Sequence, residues 1–335
     1  MNHALETKSR NRDIGIDIIK FLAVFLIINS HADICYAKYS MFATGGAIGD
    51  ALFLFCSGYT LFWKNPVRFD NWYKRRICRI YPSVFAALIV SYVIGHISIN
   101  NMSLCDILGG EFIVAIMIYY FLLYLIQKYF VDYIFKSIIF VLLVTLVAYY
   151  FFPYKQEVGE RGIYGTITLF RWIPYFGIML QGTWLGLNAK NKKIDLVFKY
   201  RDLALLFIMV AIFYGIQIFS KMNLEYASIQ IITVPVLYLI VYYSWKCCYS
   251  SFIVKLYNSK IGNFLILFVG GLCLESYLIQ CSIFTDKLNG IFPFNLPIIF
   301  LLIIVASFFV RCVARFLLQT FNKEDYDWKK VFAHN

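Results

Sequence analysis

Charge is scarce in this 335-residue chain, where Asp, Glu, Lys and Arg together make up 15%, against about 25% in soluble domains. Its nine cysteines form no Cys-x-x-Cys pair and no metal-ligand spacing, which leaves no candidate metal site. A nucleotide-binding loop, a soluble domain at either end and an internal repeat are also lacking. What is abundant is apolar: hydrophobic residues reach 61%, with 33 Phe and 26 Tyr, and mean hydropathy is +0.70. A soluble globule of this composition would expose large apolar patches, so disordered, fibrous and cytosolic classes are excluded. The apolar runs are too long and too unalternating for barrel strands, so helices must carry the spans.

Runs of suitable length predict an all-α polytopic membrane protein with about ten transmembrane helices. They cover roughly 14–34, 46–63, 80–99, 112–127, 133–152, 168–187, 203–219, 227–245, 262–284 and 295–318. The first is not read as a cleaved signal peptide, because it carries Asp17, Lys20 and His31 and lacks a small-residue cleavage site. The net charge of +12 sits in clusters between spans rather than on a nucleic-acid-binding face. With the N-terminus inside, 24 basic residues fall on the cytoplasmic side. Only Lys38, Lys155, Arg161, Lys221 and Lys287 fall outside, while Lys20 and Arg171 lie within spans. That asymmetry predicts N-in/C-in topology in a bacterial cytoplasmic (inner) membrane. Residues 1–335 then form a single membrane domain, with helices embedded over 14–318 and a cytoplasmic tail at 319–335. Cys35 and Cys105 fall near the outer ends of two spans, leaving a disulfide open, as is a homo-oligomer.

Ionisable groups inside apolar runs need a partner, a cavity or a role. The first span holds Asp17, Lys20, Asn29, Ser30 and His31. Asp17 and Lys20 are spaced to pair, and eleven residues bring His31 back to nearly the same face, roughly 16 Å further along. Snorkelling at the inner end remains an alternative for Asp17 and Lys20, and a satisfied buried histidine for His31. In the second span Asp50 and Ser57 share a face. The following basic run, Lys74 to Pro82, contains Arg75, Arg76, Arg79 and Tyr81. It fits a topogenic cluster and also a phosphate site near a helix start. Arg171 lies in the sixth span, and Glu275, Tyr277 and Gln280 lie in the ninth. Tyr119, Tyr120 and Tyr124 could face a polar cavity or pack in the core. His96 has no partner to name, and a structural role suits it better.

Taken in order, these segments resemble the acyltransferase-3 family of bacterial integral membrane acyltransferases. Arg12-Asp13-Ile14-Gly15-Ile16-Asp17, with Lys20 eleven positions before His31, is similar to the family's opening helix, where Arg is commoner than Lys. Gly49-Asp50 through Phe53, Phe55, Ser57, Gly58 and Tyr59 resembles its second-helix signature. Arg75-Arg76-Ile77-Cys78-Arg79-Ile80-Tyr81-Pro82 resembles its basic inner motif. Arg171 to Gly182 and Cys273 to Gln280 resemble two later segments, the last ending in Gln280 where the family has His or Gln.

The resemblance implies acyl transfer from a cytoplasmic acyl-CoA, most simply acetyl-CoA, to a hydroxyl of a surface or exported glycan or a glycolipid. It implies that Arg76 and Arg79 hold CoA phosphates, with Arg75, Ser57 and Tyr81 beside them, and that His31 is the essential catalytic residue. Asp50 or Glu275 would orient the imidazole, and Lys20 or Arg171 would neutralise a phosphate or the thioester oxyanion. No metal and no nucleic acid are expected; partners are the donor, the acceptor and membrane lipids. A secondary transporter or glycan flippase is the alternative, but inverted repeats and matching broken helices are not visible. Outer connections of about fifteen residues argue against a polymerase-like machine.

Overall fold

The computed structural model describes residues 13–63, 67–98, 102–151, 162–164, 169–194, 196–321 and 325–333. Lys8, Arg10, Arg12, Lys64, Lys155, Arg161 and Lys323 of the charge tally lie outside these residues. So do the expected span limits at 99, 152 and 168. The described residues are helical throughout, joined by turns and short 3-10 segments. The α-helices are α1 (Ile14–Ser30), α2 (Gly46–Tyr59), α3 (Phe69–Val93), α4 (Leu104–Ile107), α5 (Glu111–Tyr129), α6 (Ile134–Phe151) and α7 (Trp172–Lys190). They continue with α8 (Tyr200–Met222), α9 (Thr233–Cys247), α10 (Ser251–Asn258), α11 (Lys260–Gly271), α12 (Cys273–Ile279), α13 (Asn295–Thr320) and α14 (Trp328–Val331).

By length and apolarity six described helices can cross a membrane, and eight if each bent pair counts as one span. The protein is therefore a multi-pass membrane protein. The shortfall from ten has local causes. Helix α2 is only 14 residues long, and α7, though 19 residues long, is not apolar enough to count as a span. The ninth expected span breaks at Leu272 into α11 and α12. The first span ends at Ser30, and the chain bends by 95° into a 3-10 segment, Asp33–Phe42. Helix α10 was not anticipated; it meets α11 at 90°.

Helix α3 begins at Phe69 rather than near 80 and runs through Pro82. Its first turns are held by contacts with α5. Trp72 Nε1 donates to the Tyr120 carbonyl (3.2 Å) and Tyr73 Oη to that of Met117 (3.3 Å). The basic motif therefore lies on the flank of a continuous helix, two to three turns from its N-terminus, so helix-terminal N–H groups do not reach it.

Helix α1 is central, packed on α2, α9, α11 and α12. Its N-cap, Asp13, accepts from Ile16 N (3.3 Å), Tyr59 Oη (2.8 Å) and Tyr249 Oη (2.6 Å), tying the start of α1 to the ends of α2 and α9. Asn29, at its other end, donates to the carbonyls of Phe42 (2.9 Å) and Thr44 (2.8 Å) and so sets the return into α2. The tightest packing is between α2 and α7. A Cβ on Gly182 would strike the Phe55 carbonyl, and one on Gly186 the Tyr59 carbonyl. Cys35 is buried and Cys105 exposed, both as free thiols.

Candidate active site

Two cavities open toward opposite ends of α1. The first, of about 390 Å³, is bounded by α1, α2, α3, α5, α11, α12 and α13. Asp17, Lys20, Ser57, Thr60, Arg79, Tyr120, Glu275, Arg311 and Arg315 supply its polar lining. Four cations face two carboxylates, so its field favours an anion. Glu275 accepts from Ser83 Oγ (3.0 Å) and pairs with Arg311 (3.2 Å). Both side chains of that pair are about nine-tenths buried, at 9% and 11% exposure, so removing either would strand a charge. Asp17 accepts from Tyr257 Oη (3.0 Å) and makes no ion pair with Lys20 among the described residues.

Arg76 does not line this cavity but lies behind Tyr120, which does. Its guanidinium lies over the Trp72 ring (4.7 Å) and the Tyr120 ring (5.3 Å), and its Nε is buried without a hydrogen-bond partner. Arg75 is exposed, and Tyr81 packs on Phe85 with ring centroids 6.0 Å apart.

 Neither lines the cavity.

The second cavity, of about 240 Å³, lies at the other end of α1. His31, the residue that ends α1, lines it with Ser91, Asp106, Tyr277, Gln280 and Cys281. Gln280 is buried, and its Oε1 has no hydrogen-bond partner. The Ser103 hydroxyl and backbone N–H bind Asp106 and hold its carboxyl below the usual carboxylate range, so an anion borders the pocket. Gly109 and Gly110, both at positive φ, turn the chain from α4 into α5 beside it.

Between the cavities is an apolar neck of Ile27, Phe53, Phe112, Ile113, Cys273, Leu274 and Tyr277, with no room for a water. Phe53 and Phe112 (5.9 Å) and Phe112 and Tyr277 (5.2 Å) are in ring contact there. Phe53, Ile113, Cys273 and Leu274 also line the first cavity, and Tyr277 the second. The three spaces are thus continuous in lining and closed in the middle.

The polar stripe expected on α1 is therefore divided, with Asp17 and Lys20 in one cavity and His31 in the other. Neither Asp50 nor Glu275 lines the pocket of His31. Arg171 lies at the N-terminal end of α7 rather than within the helix. It ends a 3-10 turn, caps α7, and pairs with Glu111 (2.8 Å) while donating to the Tyr164 carbonyl (3.3 Å). Trp172 Nε1 donates to the other Glu111 oxygen (2.9 Å), and Asp50 lies within electrostatic reach of Arg171. Sequence reasoning missed Glu111 and Asp106, and it counted Arg311 and Arg315 only as topogenic charge. Their four-residue spacing on one apolar helix was the available signal.

A family model for an acyltransferase domain matches residues 13–315, nearly the whole chain. The chain belongs to the acyltransferase-3 family. Neither a curated protein nor a solved structure matches it. The match spans every wall of both cavities and ends at Arg315.

Proposed function

We propose that this family member moves an acyl group, acetyl in the simplest case, from acyl-CoA in the basic cavity to a glycan or glycolipid hydroxyl in the His31 pocket. In this reading the basic cavity faces the cytoplasm of a bacterial inner membrane, giving N-in/C-in topology. The observation that carries it is the pairing of two polar cavities of different character on one helix, joined by a closed apolar neck.

CoA is polyanionic, and Arg79, Arg311, Arg315 and Lys20 supply the matching charge, with Arg76 stacked behind the cavity-lining Tyr120. The narrow pantetheine arm suits the neck, whose side chains must part to admit it. In the far pocket a neutral His31 takes the proton of the acceptor hydroxyl as its oxygen attacks the thioester carbonyl. The carbon–sulfur bond then breaks, and the CoA sulfur leaves as thiolate and gains a proton. Asp106, Ser91 and Gln280 offer hydrogen bonds that a sugar's other hydroxyls can satisfy. The test is transfer of labelled acetyl from acetyl-CoA by purified protein to a panel of glycans and glycolipids. Labelled acceptor supports the reading. Loss of label to neither acceptor nor water, with transport of a glycan instead, contradicts it.

A further inference from the structure

Residues 325–333 form a hook beyond the family match, docked on the end of α13. Gln319 holds it by two bonds to the Asp327 backbone, Nε2 to O (3.2 Å) and N to Oε1 (2.7 Å). Val331 is buried beneath it. Arg315 donates to the carbonyls of Val331 (3.4 Å) and Ala333, so the hook is bonded to a residue that lines the basic cavity.

The hook carries a stack of aromatic rings. Phe316, Tyr326 and Trp328 lie within 6.1 Å of one another, with planes inclined by no more than 22°. Phe332 extends the set from Trp328 at 6.4 Å and 19°. Packing alone does not require these rings to be exposed, yet Trp328 is 55% and Phe332 60% exposed. Lys329 and Lys330 are exposed beside them, and Lys330 is tethered to Asp327 at 3.2 Å. Parallel π faces bordered by cations, joined through Arg315 to the lining of a basic cavity, match one part of the proposed donor that the cavity does not explain. That part is its adenine ring with a ribose 3′-phosphate.

We infer that the hook is the nucleotide platform of the donor site: Trp328 and Phe332 stack the adenine, and Lys329 and Lys330 hold the 3′-phosphate. This rests on the acyl-CoA reading above. The pantetheine arm then enters past Arg315. An interfacial aromatic anchor would also use Trp and Tyr, but it does not need them parallel or joined to the cavity lining.

Isothermal titration of the full-length protein with CoA and with 4′-phosphopantetheine tests the assignment. Trp328→Leu keeps apolar bulk for docking but removes the π face, whereas Trp328→Phe keeps a ring. The expected result is a roughly five- to fiftyfold rise in the CoA dissociation constant for Trp328→Leu. Phosphopantetheine affinity should be unchanged in both variants, and Trp328→Phe should bind CoA nearly like the parent. If Trp328→Leu binds CoA as the parent does, the rings are only an anchor and the inference falls. If it loses CoA and phosphopantetheine equally, the hook merely positions Arg315, and the inference falls as well. A parent protein that binds neither ligand overturns the donor reading itself.

Discussion

His31 is the only described histidine that lines either cavity, and the chemistry proposed here needs one proton acceptor beside the hydroxyl. His31→Ala should abolish transfer while leaving donor affinity within about twofold, because the basic cavity is untouched; titration alongside turnover in membranes checks this. Near-parental turnover would remove His31 from the chemistry. Arg79→Ala should weaken acyl-CoA binding roughly ten- to hundredfold, since a charge-assisted contact is worth about 1.5–3 kcal/mol. Arg75→Ala, on the exposed flank, should change it little, and equal effects of the two would reduce the cluster to a topogenic signal. At this scale the sequence was partly readable. Spacing placed Lys20 and His31 on one helix face, but it could not reveal that a neck separates them. That neck is built from Phe53, Phe112 and Tyr277, which lie on three helices far apart in sequence.

Apolar runs mark most helices well, because a lipid-facing helix such as α8 has little but hydrophobicity to satisfy. They fail where tertiary contact overrides composition. The basic turns of α3 are helical because Trp72 and Tyr73 bond to α5, and the ninth span breaks at Leu272, just past the point where Gly270 brings α11 against the backbone of α1. Two predictions belong to these elements. Gly186→Val should destabilise the α2–α7 contact by at least about 1–3 kcal/mol, as overpacking does, seen as a lower thermal midpoint in detergent. An unchanged midpoint would mean the helices are not so close. Phe112→Ala should widen the neck and raise acetyl-CoA hydrolysis relative to transfer, measured as free acetate against labelled acceptor. An unaltered ratio would show that the neck does not separate the thioester from water.

For the whole molecule, the proposed orientation puts the basic cavity on the cytoplasmic side of the bilayer and the His31 pocket on the other. Exposed Cys78 lies on the basic flank of α3, and exposed Cys105 on α4 beside the His31 pocket. A membrane-impermeant maleimide applied to intact cells should label a variant retaining only Cys105 and spare one retaining only Cys78. Family membership was legible from five ordered motifs, because each supplies residues to a cavity wall or a helix contact. The hook was not, because its meaning depends on Arg315 and on rings brought together only when the tail folds back. The central claim is that donor and acceptor meet from opposite sides of the membrane. Its most direct test uses sealed proteoliposomes of one orientation, with labelled acetyl-CoA supplied only on the side of the basic cavity and acceptor only on the other. Label should appear on the acceptor. Transfer that occurs only when both substrates share one side would contradict the claim.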